Sequence, residues 1–268
     1  MMNINSRDVL LTLSMNEEGQ WMSVFKDIKG KRPLAKEEVD KAYQENKACF
    51  VTICDADYPE YFKARTNPPF LLYYYGNKSL FNAKYRLTVV GTRQPTIYQT
   101  DTVYRLIKEV EEALNNEVAI VSGMAAGLDQ ISMKAAMSVK APIISVIGSG
   151  IDNPYPSDND GIYDYCKSGK GLVISEYPGK VSAKPENFLF RNRLLSSLSE
   201  VMFVAGGKNR SGTSSSVRLA LEDNREILAL PCDITGDDLT NSLISDGALS
   251  VLSASDLVNS LKERYNLQ

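Results

Sequence analysis

The chain has 268 residues, of which 43% are hydrophobic and 24% charged, enough apolar material for one large domain with a small accessory piece and too much for a disordered or fibrous protein. Its 30 Lys and Arg against 33 Asp and Glu leave a net charge of −3, which excludes a generic polyanion binder and directs attention to local charge. Histidine is absent, so Ser-His-Asp and Cys-His nucleophile systems, histidine general bases and histidine-ligated zinc are unavailable within the chain.

From residue 1 to about 48, apolar and polar residues mix at helical spacing, as in Val9-Leu10-Leu11-x-Leu13 and Glu37 to Tyr43, which predicts a small helical segment. Lys26 to Pro33 is charged and turn-rich and reads as a loop. Phe50 to Ile53 reads as a short strand, and the prolines at 68 and 69 set an extended entry to an apolar strand ending at Gly76. The division drawn is residues 1–56 as an N-terminal helical segment and 57–268 as a second, larger domain. No run approaches the ~18 apolar residues of a membrane span, and Met1 to Asn5 lacks a basic segment followed by an apolar stretch. Cys49, Cys54, Cys166 and Cys232 form no Cys-x-x-Cys pair. The expectation is a cytoplasmic protein with buried thiols, no membrane contact and no disulfide framework.

Beyond Ala83 short apolar runs alternate with helical patterns. Leu87–Val90, Val118–Val121, Ile143–Ile147, Gly171–Ile174, Val201–Val204 and Ile227–Leu230 are apolar on both faces, the mark of a parallel sheet covered by helices on each side. The spacing of Val103, Leu106, Ile107, Val110 and Leu114 predicts a helix over Thr100 to Asn115, and a second is expected over Ser214 to Asn224. The predicted fold class is α/β: a Rossmann-like, doubly wound, mostly parallel sheet with a small N-terminal helical segment.

Ligands of such sheets bind beyond the carboxyl ends of the strands. Five successive strand ends here carry small residues, namely Gly91-Thr92-Arg93, Ser122 to Asp129, Gly148-Ser149-Gly150, Ser175-Glu176-Tyr177-Pro178 and Ala205 to Thr213. Glycine at a strand-to-helix turn lets a phosphate oxygen approach backbone N–H groups at a helix N-terminus. Neither Gly-x-Gly-x-x-Gly with its acidic ribose partner nor Gly-x-x-x-x-Gly-Lys-Ser/Thr is present, which disfavours a dinucleotide cofactor and a nucleotide triphosphatase. No cofactor and no metal site are expected. Lys180 to Arg210 holds six basic and two acidic residues, whereas Ser211 to Gln268 holds four basic and nine acidic. Within the basic stripe, Phe188-Leu189-Phe190-Arg191-Asn192-Arg193 sets two aromatics beside two arginines just before an expected helix. Arginines clamp phosphates and an exposed ring stacks a base; the alternative places both rings in the core and pairs the arginines with Glu176 and Glu200.

These motifs, in this order and spacing over roughly residues 57–250, resemble the bacterial DNA-processing protein A (Smf) family. Thr240 to Ala248 resembles its closing motif, while Met133 stands where a histidine is common and Leu230-Pro231-Cys232 where Val-Pro-Gly is usual. The resemblance implies a protein that binds single-stranded DNA cooperatively, protects it and helps load a RecA-type recombinase in natural transformation, with no catalytic residue; separately, an exposed apolar strand would allow a homodimer. The resemblance also implies phosphate contacts from Arg93, Arg191 and Arg193, stacking by Phe188, cationic lining from Lys208 and Arg210, and backbone donors at Gly123, Gly127, Ser211 and Gly212. Two other readings remain open from the residues. One is a phosphoribohydrolase-type enzyme using Glu176 or Asp129, although Gly206-Gly207 and Gly212-Thr213 only echo its motif and Ser216 occupies the glutamate position. The other is a small-nucleotide sensor.

Overall fold

A computed structural model describes residues 4–234 and 238–266. Three helices open the chain: α1 (Ser6–Asn16), α2 (Trp21–Lys29) and α3 (Lys36–Glu45). Strand β1 (Cys49–Thr52), the short helix α4 (Glu60–Lys63), β2 (Leu71–Gly76), β3 (Tyr85–Val90), α5 (Ile97–Ala113), β4 (Val118–Ser122) and α6 (Leu128–Ser138) follow. Then come β5 (Ile143–Val146), α7 (Asp160–Tyr165), β6 (Leu172–Ser175), α8 (Pro185–Leu198), β7 (Val201–Val204), α9 (Gly212–Glu222) and β8 (Glu226–Ala229). Helix α10 (Asp238–Ser245), β9 (Leu249–Ser250) and α11 (Ala254–Asn266) close the chain.

The strands form a single nine-stranded sheet in the order β1-β2-β6-β5-β4-β3-β7-β8-β9. All pairings from β6 across to β9 are parallel, whereas β2 joins β6, and β1 joins β2, antiparallel. Side chains of successive strand residues alternate between the two faces, and both faces are covered. Leu87 and Val89, Val118 and Ile120, and Val201 and Phe203 pack toward Val103, Leu106, Ile107 and Val110 of α5 and Leu257 and Leu261 of α11. Val90, Ala119 and Val121, and Met202 and Val204 pack toward Leu194, Leu195 and Leu198 of α8 and Val217 and Ala220 of α9. The six predicted apolar runs are the six central strands, and their two-sided burial is the doubly wound arrangement expected of them.

Three local expectations differ. Lys26 to Lys29 belongs to α2 rather than a loop, because Trp21, Val24, Phe25 and Ile28 recur at helical spacing and outweigh the local charge. The stretch carrying Arg191 and Arg193 lies within α8, which Pro185 opens at its first turn. Cys49 and Cys54 are exposed, and only Cys166 is buried. Strand β1, on the N-terminal side of the boundary at residues 56–57, is hydrogen-bonded into the sheet. Among the described residues no helix is long and apolar enough to cross a membrane.

One buried carboxyl in the core has no ion-pair partner among the described residues. Glu111 of α5 is fully buried, and only the Val118 backbone amide favours its charged form. Loss of hydration pushes its carboxyl from 4.5 up to about 8. Between those two values the folded chain retains a proton that the unfolded chain has released, so stability falls as pH rises through the window and levels off above it. The thermal midpoint should therefore decline from about pH 5 to about pH 8, and Glu111→Gln should flatten that decline and raise the midpoint most at the alkaline end. An unchanged slope in the Gln variant would refute the assignment.

Candidate functional site

The chain winds outward from β3 through β4 and β5 to β6, and α8 then carries it back to place β7 on the other flank of β3. Strand direction is parallel on both sides of this reversal, so the loops leaving β3 and β7 diverge and leave a crevice beyond the strand ends. A cleft of about 730 Å³ opens there. Its walls are Gly91, Thr92 and Arg93 after β3, Phe188, Leu189 and Asn192 of α8, Gly207, Lys208, Arg210 and Ser211 between β7 and α9, and Gly212 and Thr213 in the first turn of α9.

Short backbone ties hold the walls at this spacing. The Thr213 hydroxyl donates to Gly91 O at 3.1 Å, the Leu128 amide donates to Thr92 O at 3.1 Å, and the Asn192 amide group donates to Gly212 O at 3.3 Å. Gly127 adopts φ +86°, and a Cβ there would fall 2.3 Å from Thr92 O, so only glycine lets α6 begin against the β3 loop. Ser211 caps α9, accepting from the Ser214 amide at 3.3 Å, and the first turn of this 11-residue helix presents its amides at the cleft wall. Arg93, Lys208 and Arg210 are exposed there. None of the three forms an ion pair among the described residues, so their charge is available to a ligand.

Phe188 is half-buried, its ring set against the Gly148 backbone, where a Cβ would lie 2.7 Å from its Cδ1. Tyr155 stands beside it at 5.7 Å between ring centroids with planes tilted by 43°. Tyr155 is 52% exposed and also lines the cleft. The two rings form an aromatic wall facing the cationic one. Tyr155 was missed as a functional side chain, although an aromatic just beyond the third central strand was the available signal.

The two arginines of the Arg-Asn-Arg motif part company. Two residues along a helix turn a side chain by about 200°, so Arg191 and Arg193 leave α8 in nearly opposite directions. Arg193 is 4% exposed, and its guanidinium grips both oxygens of Glu176 at 2.5 and 2.6 Å while Nε donates to Asn67 O at 3.0 Å. Its predicted phosphate contact is corrected on this geometry, since the charge is neutralised inside the protein and does not line the cleft. The pairing also commits both Glu176 oxygens, which removes that carboxylate from a catalytic role in the cleft. Glu200, the other suggested partner, pairs instead with Arg225.

Arg191 is 4% exposed and lies behind the cleft, packed so closely on Gly123 that a Cβ there would overlap its guanidinium. Its Nε and Nη1 have no hydrogen-bond partner among the described residues. Burial pushes it down to about 10, against the pull of the neighbouring Asp129 carboxylate and with the repulsion of Arg93. It remains a cation at neutral pH. Asp129, 6% exposed, accepts from the Gly123 amide at 3.1 Å and from the Ala125 amide at 3.4 Å, and burial raises its carboxyl despite these bonds and Arg191. Of the ten sequence-designated residues, Arg93, Phe188, Lys208, Arg210, Ser211 and Gly212 meet in one cleft. Gly123, Gly127, Arg191 and Arg193 are not among the residues lining it: the Gly123 amide is committed to Asp129 and Arg191 is buried, so the expected backbone donor and phosphate contact at those two positions are corrected as well.

Fold and site together define a Rossmann-like protein with an amide-lined, cationic cleft at its topological switch point. The chain belongs to the family of DNA recombination-mediator protein A, whose match spans residues 49–262. It is 33% identical over 227 residues to the DNA processing protein DprA of Bacillus subtilis, covering 83% of this chain and 74% of that protein. It is 34% identical over 227 residues to Protein Smf of Synechocystis, covering 82% of this chain and 55% of that protein, so it spans about half the length of the latter relative. The solved structure of DprA from Streptococcus pneumoniae matches with a TM-score of 0.79 at 27% identity, over 97% of this chain and 99% of that one. DNA processing protein A of Helicobacter pylori, whose structure was described for its single-stranded DNA binding mode, matches with a TM-score of 0.71 at 29% identity, over 81% and 97%.

The division of labour within α8 is testable by denaturation. Removing one partner of a buried pair strands the other charge, so Arg193→Ala and Glu176→Gln should each lower unfolding free energy by about 3–5 kcal/mol. Arg93→Ala, at an exposed position, should change it by less than about 0.5 kcal/mol. Equal losses for Arg93 and Arg193 would contradict the assignment.

Proposed function

We propose that this protein binds single-stranded DNA without catalysing a reaction on it, protects the bound strand and assists the loading of a RecA-type recombinase. The observation that carries the reading is the joint presence, in one cleft, of three exposed cations with no ion pair among the described residues, the first-turn amides of α9 and the Phe188–Tyr155 wall. Cations and amides hold the sugar-phosphate backbone, while the rings accept bases that are free of a complementary strand. A duplex keeps its bases stacked inside and offers nothing to the aromatic wall. The Helicobacter pylori relative supports this reading through its described binding mode. Family membership among recombination mediators supports the recombinase step, and pairing of two copies is part of the same proposal.

Association with an oligothymidine should weaken as salt rises, with log K falling against log salt by about 0.7 per phosphate contact. Arg93→Ala and Lys208→Ala should each make that slope shallower by about 0.7. Phe188→Ala should cost about 1–3 kcal/mol of affinity with little change in slope. A flat salt dependence, or equal affinity for duplex and single strand, would overturn the proposal. Release of free base from nucleoside monophosphates, abolished by Asp129→Asn, would replace it with the hydrolase reading.

A further inference from the structure

Helix α2, outside the cleft, exposes side chains that do not fit an ordinary solvent face. Met22, Phe25, Lys26 and Lys29 are all exposed, Met22 by 68% and Phe25 by 40%. Their i, i+3, i+4, i+7 spacing places them on one stripe of the helix. Two apolar and two cationic side chains therefore share a surface that water covers. Neither lysine has an acidic partner among the described residues, whereas nearby Arg32 is neutralised by Glu17, Asp27 and Glu38.

The aromatic part of the stripe is fixed. Phe25 stacks on Trp21 at 5.1 Å with planes 12° apart, and Trp21 stacks on Phe70 at 5.1 Å with planes 15° apart. Trp21 Nε1 donates to Pro68 O at 2.7 Å, which locks the indole within the stack. The loop that receives this bond also connects to the cleft-wall helix. Arg193 of α8 donates to Asn67 O at 3.0 Å, and its guanidinium lies 3.8 Å from the ring centroid of Phe190, two residues beyond Phe188. Residues 67–70 thus tie the ring stack on α2 to Arg193 of α8, the helix that also carries Phe188.

We infer that α2 is a second docking platform for the same single strand, on which Phe25 stacks a base, Lys26 and Lys29 hold the flanking phosphates and Met22 covers the adjoining sugar. The inference deepens the reading of the cleft as a single-stranded DNA site and depends on it. Immobilised, near-parallel rings with cations beside them suit planar bases on a polyanion. A lipid surface would ask for a broader apolar face than Met22 and Phe25 supply.

Trp21 is the single tryptophan of the chain, so its fluorescence reports on the platform directly. The test titrates the full chain with oligothymidines of about 6 nucleotides, within the reach of one domain-sized site, and of about 25 nucleotides. The longer strand should bind more tightly and quench Trp21, and the shorter one should bind without quenching. The triple variant Phe25→Ala, Lys26→Ala, Lys29→Ala, checked for an unchanged melting temperature, should lose about tenfold or more on the longer strand and nothing on the shorter. Its salt slope should become shallower by about 1.4, two contacts at about 0.7 each. Lys26→Ala with Lys29→Ala, which leaves the ring stack intact, should reproduce the change in slope. Unchanged affinity of the triple variant for the longer strand would overturn the platform and leave the cleft standing. Failure of the wild-type chain to bind either length would overturn the reading of the cleft itself. A Trp21 response to anionic phospholipid vesicles with none to the longer strand would also overturn the platform, in favour of a lipid surface.

Discussion

The return of α8 across the sheet, which sets β7 beside β3 rather than beside β6, is the constraint on which the rest of this molecule depends. A parallel sheet built in one direction would carry its loops side by side along one edge. Reversal at β3 and β7 makes two of those loops diverge, and the hydrogen bond from Thr213 to Gly91 O sets how far. The gap between them is the cleft. Cationic loop residues, helix-terminal amides and the α8 aromatic wall converge there only because the strand order reverses at that point.

Helix α8 does three tasks with adjacent residues, and the 3.6-residue turn keeps them apart. Its Phe188 surface faces the cleft beside Tyr155, its Arg191 surface lies against Gly123 and Asp129, and its Arg193 surface locks to Glu176 at the end of β6. The last of these is a desolvated ion pair with both carboxylate oxygens occupied, an arrangement that resists removal of either partner and fixes the helix axially. Arg191 is the less settled of the two arginines. A buried guanidinium with two nitrogens unsatisfied among the described residues is costly, and its charge is held beside the Asp129 carboxylate and repelled by Arg93.

The N-terminal helices are joined to this machinery through the sheet and through the loop at residues 67–70. Tyr73 of β2 donates from its hydroxyl to Ser14 of α1 at 3.0 Å, and Trp21 of α2 and Arg193 of α8 bind neighbouring carbonyls of that loop. Displacement of α2 would therefore be felt at α8, since both hold the same short segment of backbone.

The apolar runs and the glycines were readable in the linear chain because a strand buried on both faces needs continuous Val, Ile and Leu, and a tight strand-to-helix turn needs residues without bulk. Six of the ten proposed site residues lie at strand ends or helix starts and fall in the cleft for that reason. Residue order could not show that Arg191 and Arg193, two positions apart, would take opposite sides of one helix, because that follows from where α8 begins and what packs around it. The linear chain offered Glu176 as an alternative partner for these arginines, and packing decided that it neutralises the second of them and that Tyr155 stands beside Phe188. Local pattern determined the elements and the chemical character of the rim. Tertiary packing decided which charges face solvent, because burial and pairing depend on neighbours that the chain brings together only when β7 returns to β3.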